Sequence, residues 1–140
     1  MARLAVVTCA DLHAAWGRFL DGELGVSVAA LLTKAVAEQG SQFIRDDVDK
    51  ALAVVISLAT PSKGLSVLTN CLSKHVHAVT RCLVLGHLCD LLPTLVNKGN
   101  TEASKDNDAL LTALALLVAD PSPETRYLAK KALSVLYAYY

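Results

Sequence analysis

One recurring pattern constrains this chain more than any other feature. Ile44-Arg45-x-x-Val48-x-x-Ala51-Leu52 sets an arginine beside apolar residues at helical spacing. Thr125-Arg126-x-x-Ala129-x-x-Ala132-Leu133 repeats it near the C-terminus, and Ala2-Arg3-x-x-Val6-x-x-Cys9-Ala10 repeats it loosely at the N-terminus. Val79-Thr80-x-x-Leu83-x-x-Gly86 reads as a degenerate copy between them. The starts at 2, 44, 79 and 125 lie about 40 residues apart. In the fullest copy Ile44, Val48, Ala51, Leu52 and Val55 form one stripe, and Arg45, Asp46, Asp47, Asp49 and Lys50 fill the other side of an amphipathic helix. A unit of ~40 residues with two helices buries its apolar face only against its neighbours. The expectation is therefore an all-α chain, a HEAT-repeat α-solenoid of about seven antiparallel helices.

Composition agrees with helices covered on more than one side. The chain is 54% hydrophobic with a mean hydropathy of +0.43, mostly from Ala, Leu and Val, and its 140 residues suffice for one domain with a real core. No uncharged apolar run approaches the roughly 20 residues that span a bilayer, the longest being 109–119. Asp11 and His13 interrupt the N-terminal apolar stretch before a signal-peptide core forms. The chain is accordingly expected to be cytoplasmic, soluble and without a membrane partner. Thirteen basic and thirteen acidic residues give no net charge, which argues against a nucleic-acid partner bound through many phosphates. Cys9, Cys71, Cys82 and Cys89 form no C-x-x-C pair and sit among apolar residues, so buried reduced thiols are expected.

Turn residues and caps divide the chain into helices over about 2–20, 23–38, 42–59, 61–74, 78–95, 108–119 and 123–137. Gly40, Thr60-Pro61 and Asp120-Pro121-Ser122-Pro123 supply the stops and caps, with Ser41 and Ser122 as N-caps. Asp46 and Asp47 are placed in the first turn of the third helix, and Val26, Ala29, Leu31, Leu32 and Val36 on the inward side of the second. Pro93 is expected to end or kink the fifth helix, and 97–108 to be the one long loop. One domain, 1–140, results: a half repeat at 1–20 and repeats at 23–59, 60–96 and 107–137. The turns within repeats, 38–42, 74–77 and 120–123, would line one edge, a candidate binding surface. The first helix matches the second helix of a repeat. Its inward face, with Val6, Cys9, Trp16 and Phe19, would be partly bare and would call for upstream HEAT repeats or a protein partner. The alternative is that it packs on the second and third helices as a cap.

The segments FIRDDVDKAL, HAVTRC and PSPETRYLAKKAL resemble the second half of a TOG domain, a HEAT-repeat tubulin-binding module, with the nearest likeness to the crescerin group of ciliary TOG-array proteins. The likeness runs from Ala2 to Leu136. It implies repeats four to six of a six-repeat paddle, preceded by the second helix of repeat three. It implies αβ-tubulin or microtubules as partner, and a cytoskeletal, ciliary location. The tubulin-facing turns it implies hold Ser41, Gln42, Phe43 and Arg45, then Lys74, His75, His77 and Arg81, then Ser122 to Arg126. Thr80 stands where the family commonly has a second basic residue.

Each of these residues also has a plainer reading. Arg45 is either a contact for an acidic partner or a structural arginine tied to a carboxylate or helix end. Arg126 reads as a structural tie between helices. Lys74 and Arg81 read as solvated charges, with partner contact as the alternative. His75 and His77 are two apart, as are His87 and Cys89, so on a helix each pair diverges and neither suits a metal. His13 and His87 read as half-buried helical residues. The tyrosines at 137, 139 and 140 read as a frayed helix end covering the last hairpin. No glycine-rich phosphate loop, nucleophile elbow or paired carboxylates occur, so neither catalysis nor a cofactor is expected. The competing functional reading is a HEAT scaffold for protein–protein interaction or self-association that does not touch tubulin.

Overall fold

A computed structural model describes residues 2–37, 42–74, 77–97 and 104–139. Among them there is no strand, and the all-α expectation holds. The elements are α1 (Ala2–Trp16), a 3-10 stretch (Gly17–Glu23), α2 (Leu24–Ala37), α3 (Gln42–Leu58), α4 (Pro61–Lys74), α5 (Ala78–Asn97), α6 (Ser104–Leu117) and α7 (Pro123–Tyr139). The chain forms two compact units, 1–67 and 68–140, and the division falls inside α4.

In the first unit α1 and α2 both pack on α3, and α1 meets α3 far more than it meets α2. The α3 stripe is buried as the periodicity predicts, at Ile44, Val48, Ala51, Leu52 and Val55, and Ile56 joins it. Each fully buried leucine or valine there contributes roughly 1.5–3 kcal/mol. The stripe on α2 differs from expectation. Val26 is 67% exposed, while Leu24 and Val28 are fully buried. The run Leu24 to Val28 alternates apolar and small residues, which leaves two helical phases open. Leu31 and Ala35 select the phase at i, i+4, i+7 and i+11.

α1 ends four residues earlier than expected. Gly17 has φ +55, the left-handed conformation that closes helices and that glycine adopts without a Cβ penalty. Asp21-Gly22, a stop signal by residue type, lies within the 3-10 stretch that follows. Asp21 accepts the Thr60 N–H on Oδ1 at 3.3 Å and the Thr60 hydroxyl on Oδ2 at 2.5 Å. Thr60 caps α4 through its carbonyl, which takes the Gly64 N–H at 3.0 Å, and Pro61 fills the first helical position as expected.

In the second unit α7 packs on both α5 and α6, most extensively on α5. The segment Ala78–Leu95 of α5 is long and apolar enough to cross a membrane by length and composition, although Arg81 and Asp90 interrupt it as an uncharged run. Of this window, 61% is buried inside the fold, as befits a core helix. Pro93 neither ends nor breaks α5, which continues to Asn97, though the proline denies the Cys89 carbonyl its usual helical donor. α6 begins at Ser104, so helix replaces part of the expected loop.

The third copy of the repeat also shifts. Thr80 is 1% exposed and Val84 and Leu88 are fully buried, while Val79 and Gly86 are half-buried. The copy is therefore Thr80-Arg81-x-x-Val84-x-x-His87-Leu88, beginning at 80 and not at 79. Its arginine was present, one place later than the sequence reading put it. Thr80 itself is buried, so a basic residue at that position would face the interior.

Candidate functional site

In this register three arginines become equivalent. Arg45, Arg81 and Arg126 are each the fourth residue of their helix, and each follows a buried residue, Ile44, Thr80 or Thr125. Their surroundings differ.

In the second unit both arginines close on Asp120, which is 8% exposed. Arg81 Nε lies 2.9 Å from Asp120 Oδ1, and Arg81 Nη2 donates to Oδ2 at 3.4 Å. The Ser122 N–H donates to the same Oδ2 at 3.0 Å. From the far side Arg126 Nη1 donates to the carbonyl oxygens of Asp120 at 2.8 Å and Pro121 at 3.1 Å. Ser122 caps α7 as expected, its carbonyl taking the Arg126 N–H at 3.1 Å and its hydroxyl oxygen the Thr125 N–H at 3.5 Å. The structural reading of Arg126 fits this geometry. Arg81 is not the solvated charge expected: its side chain is 16% exposed and held in an ion pair. The sequence reading missed Asp120 as a functional group. A usable signal was there, since Arg81 and Asp120 are one repeat length apart in sequence, as are Asp21 and Thr60.

In the first unit Arg45 is half-buried, and among the described residues its side chain makes no hydrogen bond or ion pair. Its neighbour Asp46 accepts from Gln42 Nε2 at 2.8 Å. The first turn of α3 holds no acidic residue, because the helix starts at Gln42 and places Asp46 and Asp47 beyond it. Phe43, in that first turn, is 72% exposed. Gln42 is exposed as well, and so is His77, whose carbonyl takes the Arg81 N–H at 3.1 Å to open α5. Ser41 and His75 lie outside the described residues. Lys74 is the last residue of α4.

Comparison with known proteins finds similar sequences. Over 137 residues, 97% of its length, the chain is 36% identical to TOG array regulator of axonemal microtubules protein 1 of Mus musculus. Over 70 residues, half its length, it is 39% identical to the Homo sapiens protein of the same name. The chain is a relative of the TOG-array proteins. It spans 8% of the mouse protein, and the human match spans 4% of that protein. No protein-family model and no solved structure matches it.

Two further features of this TOG-array relative bear on function. α1 is apolar nearly all round. Val6 and His13 are buried and Cys9 half-buried, while Leu4, Val7, Leu12 and Trp16 are exposed, with Phe19 beyond the helix at 90%. The face turned away from α3 carries one described charge, Asp11. α7 contrasts with it, for its exposed positions mix Tyr127 and Tyr137 with Glu124, Lys130 and Lys131. The Tyr137 ring is exposed and does not cover the last hairpin as expected.

Among the described residues two histidines and two cysteines are buried within the helices. His13 is buried more deeply than read, and its Nε2 shares a hydrogen bond with Ser27 Oγ at 2.9 Å. Burial lowers the His13 pKa, opposed in part by the nearby Asp21 carboxylate. His87 is buried too. Only two of the four cysteines, Cys71 and Cys89, are fully buried. Burial raises the Cys89 thiol pKa, with Lys131 opposing and Asp90 adding to the shift, and the thiol donates to the Leu128 carbonyl at 3.4 Å. Among the described residues no three His, Cys, Asp or Glu side chains gather as a metal site would require.

Proposed function

We propose that the chain is a non-catalytic module that binds αβ-tubulin or microtubules through the turns leading into α3, α5 and α7. The observation that carries this reading is the match over 97% of the chain to a protein named as a TOG array regulator of axonemal microtubules. The contact residues are drawn from Ser41, Gln42, Phe43 and Arg45, then Lys74, His75, His77 and Arg81, then Arg126. The repeats at 23–59, 60–96 and 107–137 order these turns along the chain. Binding rests on charge and shape complementarity with an acidic protein surface, in a cytoskeletal setting that includes the cilium. The test is co-elution of the purified chain with αβ-tubulin dimer at low salt. A chain that is helical by circular dichroism yet never shifts the tubulin peak would sink the proposal.

A second reading is favoured by one observation, the exposed apolar face of α1. A helix apolar on all sides is ordinarily covered. In this reading the chain is a HEAT-type scaffold whose α1 meets further repeats or another protein, and tubulin is not involved. Leu12→Glu separates the two, because it should abolish scaffold contacts and leave tubulin binding intact.

A further inference from the structure

Resting on that first reading, we infer that contact with the acidic partner is concentrated on Arg45 at the head of α3, and that Arg81 and Arg126 take no direct part. The three arginines share one register, so position alone assigns them one role. Hydrogen bonding separates them. Arg81 spends Nε and Nη2 on the Asp120 carboxylate, and Arg126 spends Nη1 on two backbone carbonyls of the same turn. A partner carboxylate that recruited either would have to compete with these existing contacts, of which the Arg81–Asp120 pair is short and largely buried. Arg45 has no such contact to give up among the described residues.

The local chemistry of α3 points the same way. Gln42 engages Asp46, the acidic residue next to Arg45, through a bond within the first turns of the helix. Arginine is among the side-chain types that most often dominate protein contacts. The partner surface that fits Arg45 is a carboxylate, as an acidic protein presents. The second unit then contributes shape, and Arg81 and Arg126 hold that shape.

The test uses the whole chain and two readouts. Arginine Nε–Hε resonances are followed during titration with a polyglutamate peptide, and affinity for αβ-tubulin is measured for the wild type, Arg45→Glu, Arg45→Lys and Arg126→Gln. The Arg45 resonance should shift first and furthest, with Arg81 and Arg126 nearly still. Arg45→Glu should weaken tubulin binding by about tenfold or more, Arg45→Lys by less, and folded Arg126→Gln by about twofold at most. If Arg81 or Arg126 shifts with the peptide as strongly as Arg45, the inference is overturned, whatever tubulin does. It is overturned equally if Arg45→Glu binds tubulin like the wild type. If the wild type ignores tubulin while Arg45 alone answers the peptide, the tubulin reading falls and the assignment of Arg45 to an acidic partner stands.

Discussion

The two units hold their polar groups by different contacts. The second buries an ion pair, Arg81 with Asp120, and pins the turn further through Arg126. The first buries His13 against Ser27 and uses Asp21 to take both donors of Thr60. A buried ion pair adds little net stability when whole and costs a great deal when halved, since the remaining charge is left in a poor solvent. A histidine held in its neutral form responds instead to proton concentration. The Arg81–Asp120 turn should therefore be sensitive to substitution and the His13–Ser27 contact to acid.

The sharpest way to break this contrast is Asp120→Ala. It leaves Arg81 largely buried without its carboxylate and removes the acceptor for the Ser122 N–H, so a loss of about 3–5 kcal/mol is expected. Hydrogen exchange of the α5 and α7 amides should accelerate accordingly. Unchanged protection there would mean the ion pair is incidental. Asp21→Ala is the matching change in the first unit. It strands the Thr60 donors where water can reach them in part, and about 1–2 kcal/mol should be lost, read as a lower thermal midpoint. A loss as large as that of Asp120→Ala would erase the proposed difference.

Acid supplies the third test. His13 has its pKa lowered by burial, so its contribution is fully present above the ordinary histidine pKa and is lost as pH falls through the lowered value. Taking the protein from about pH 7.5 to about pH 5.5 should loosen α1 and α2, seen as faster amide exchange. His13→Gln should flatten that response. A loosening of α1 and α2 that His13→Gln leaves unchanged would refute the assignment. The smallest effect has the opposite sign. The Thr80 hydroxyl is buried without a hydrogen-bond partner among the described residues, and a methyl group fits its place. Thr80→Val should stabilise the protein by about 1 kcal/mol, a rise of a few degrees in Tm. A fall would reveal a partner for that hydroxyl.

What the sequence disclosed tracks where one physical force acts alone. The α3 stripe was legible residue by residue, because one face is apolar, the other is charged, and no second phase competes. On α2 two phases competed, and only packing against α3 chose between Val26 and Val28. α5 misled for a related reason: buried nearly all round, it has no polar face to set its register, and its repeat was read one residue early. That single slip hid the equivalence of Arg81 with Arg45 and Arg126. The candidate turns were legible as turns. Which of their arginines are committed elsewhere was not, because this depends on Asp120, one repeat length from Arg81 in sequence but read there as part of a proline-rich stop.

Asp120 also constrains how this sequence can change over generations. Its carboxylate holds Arg81 and its carbonyl holds Arg126, so position 81 can lose its charge only in step with position 120, while position 126 answers to backbone geometry alone. Descendants of this chain should therefore exchange residues 81 and 120 as a pair. Those that replace Asp120 with a neutral residue should be found without Arg81, and they should remain free to keep Arg126.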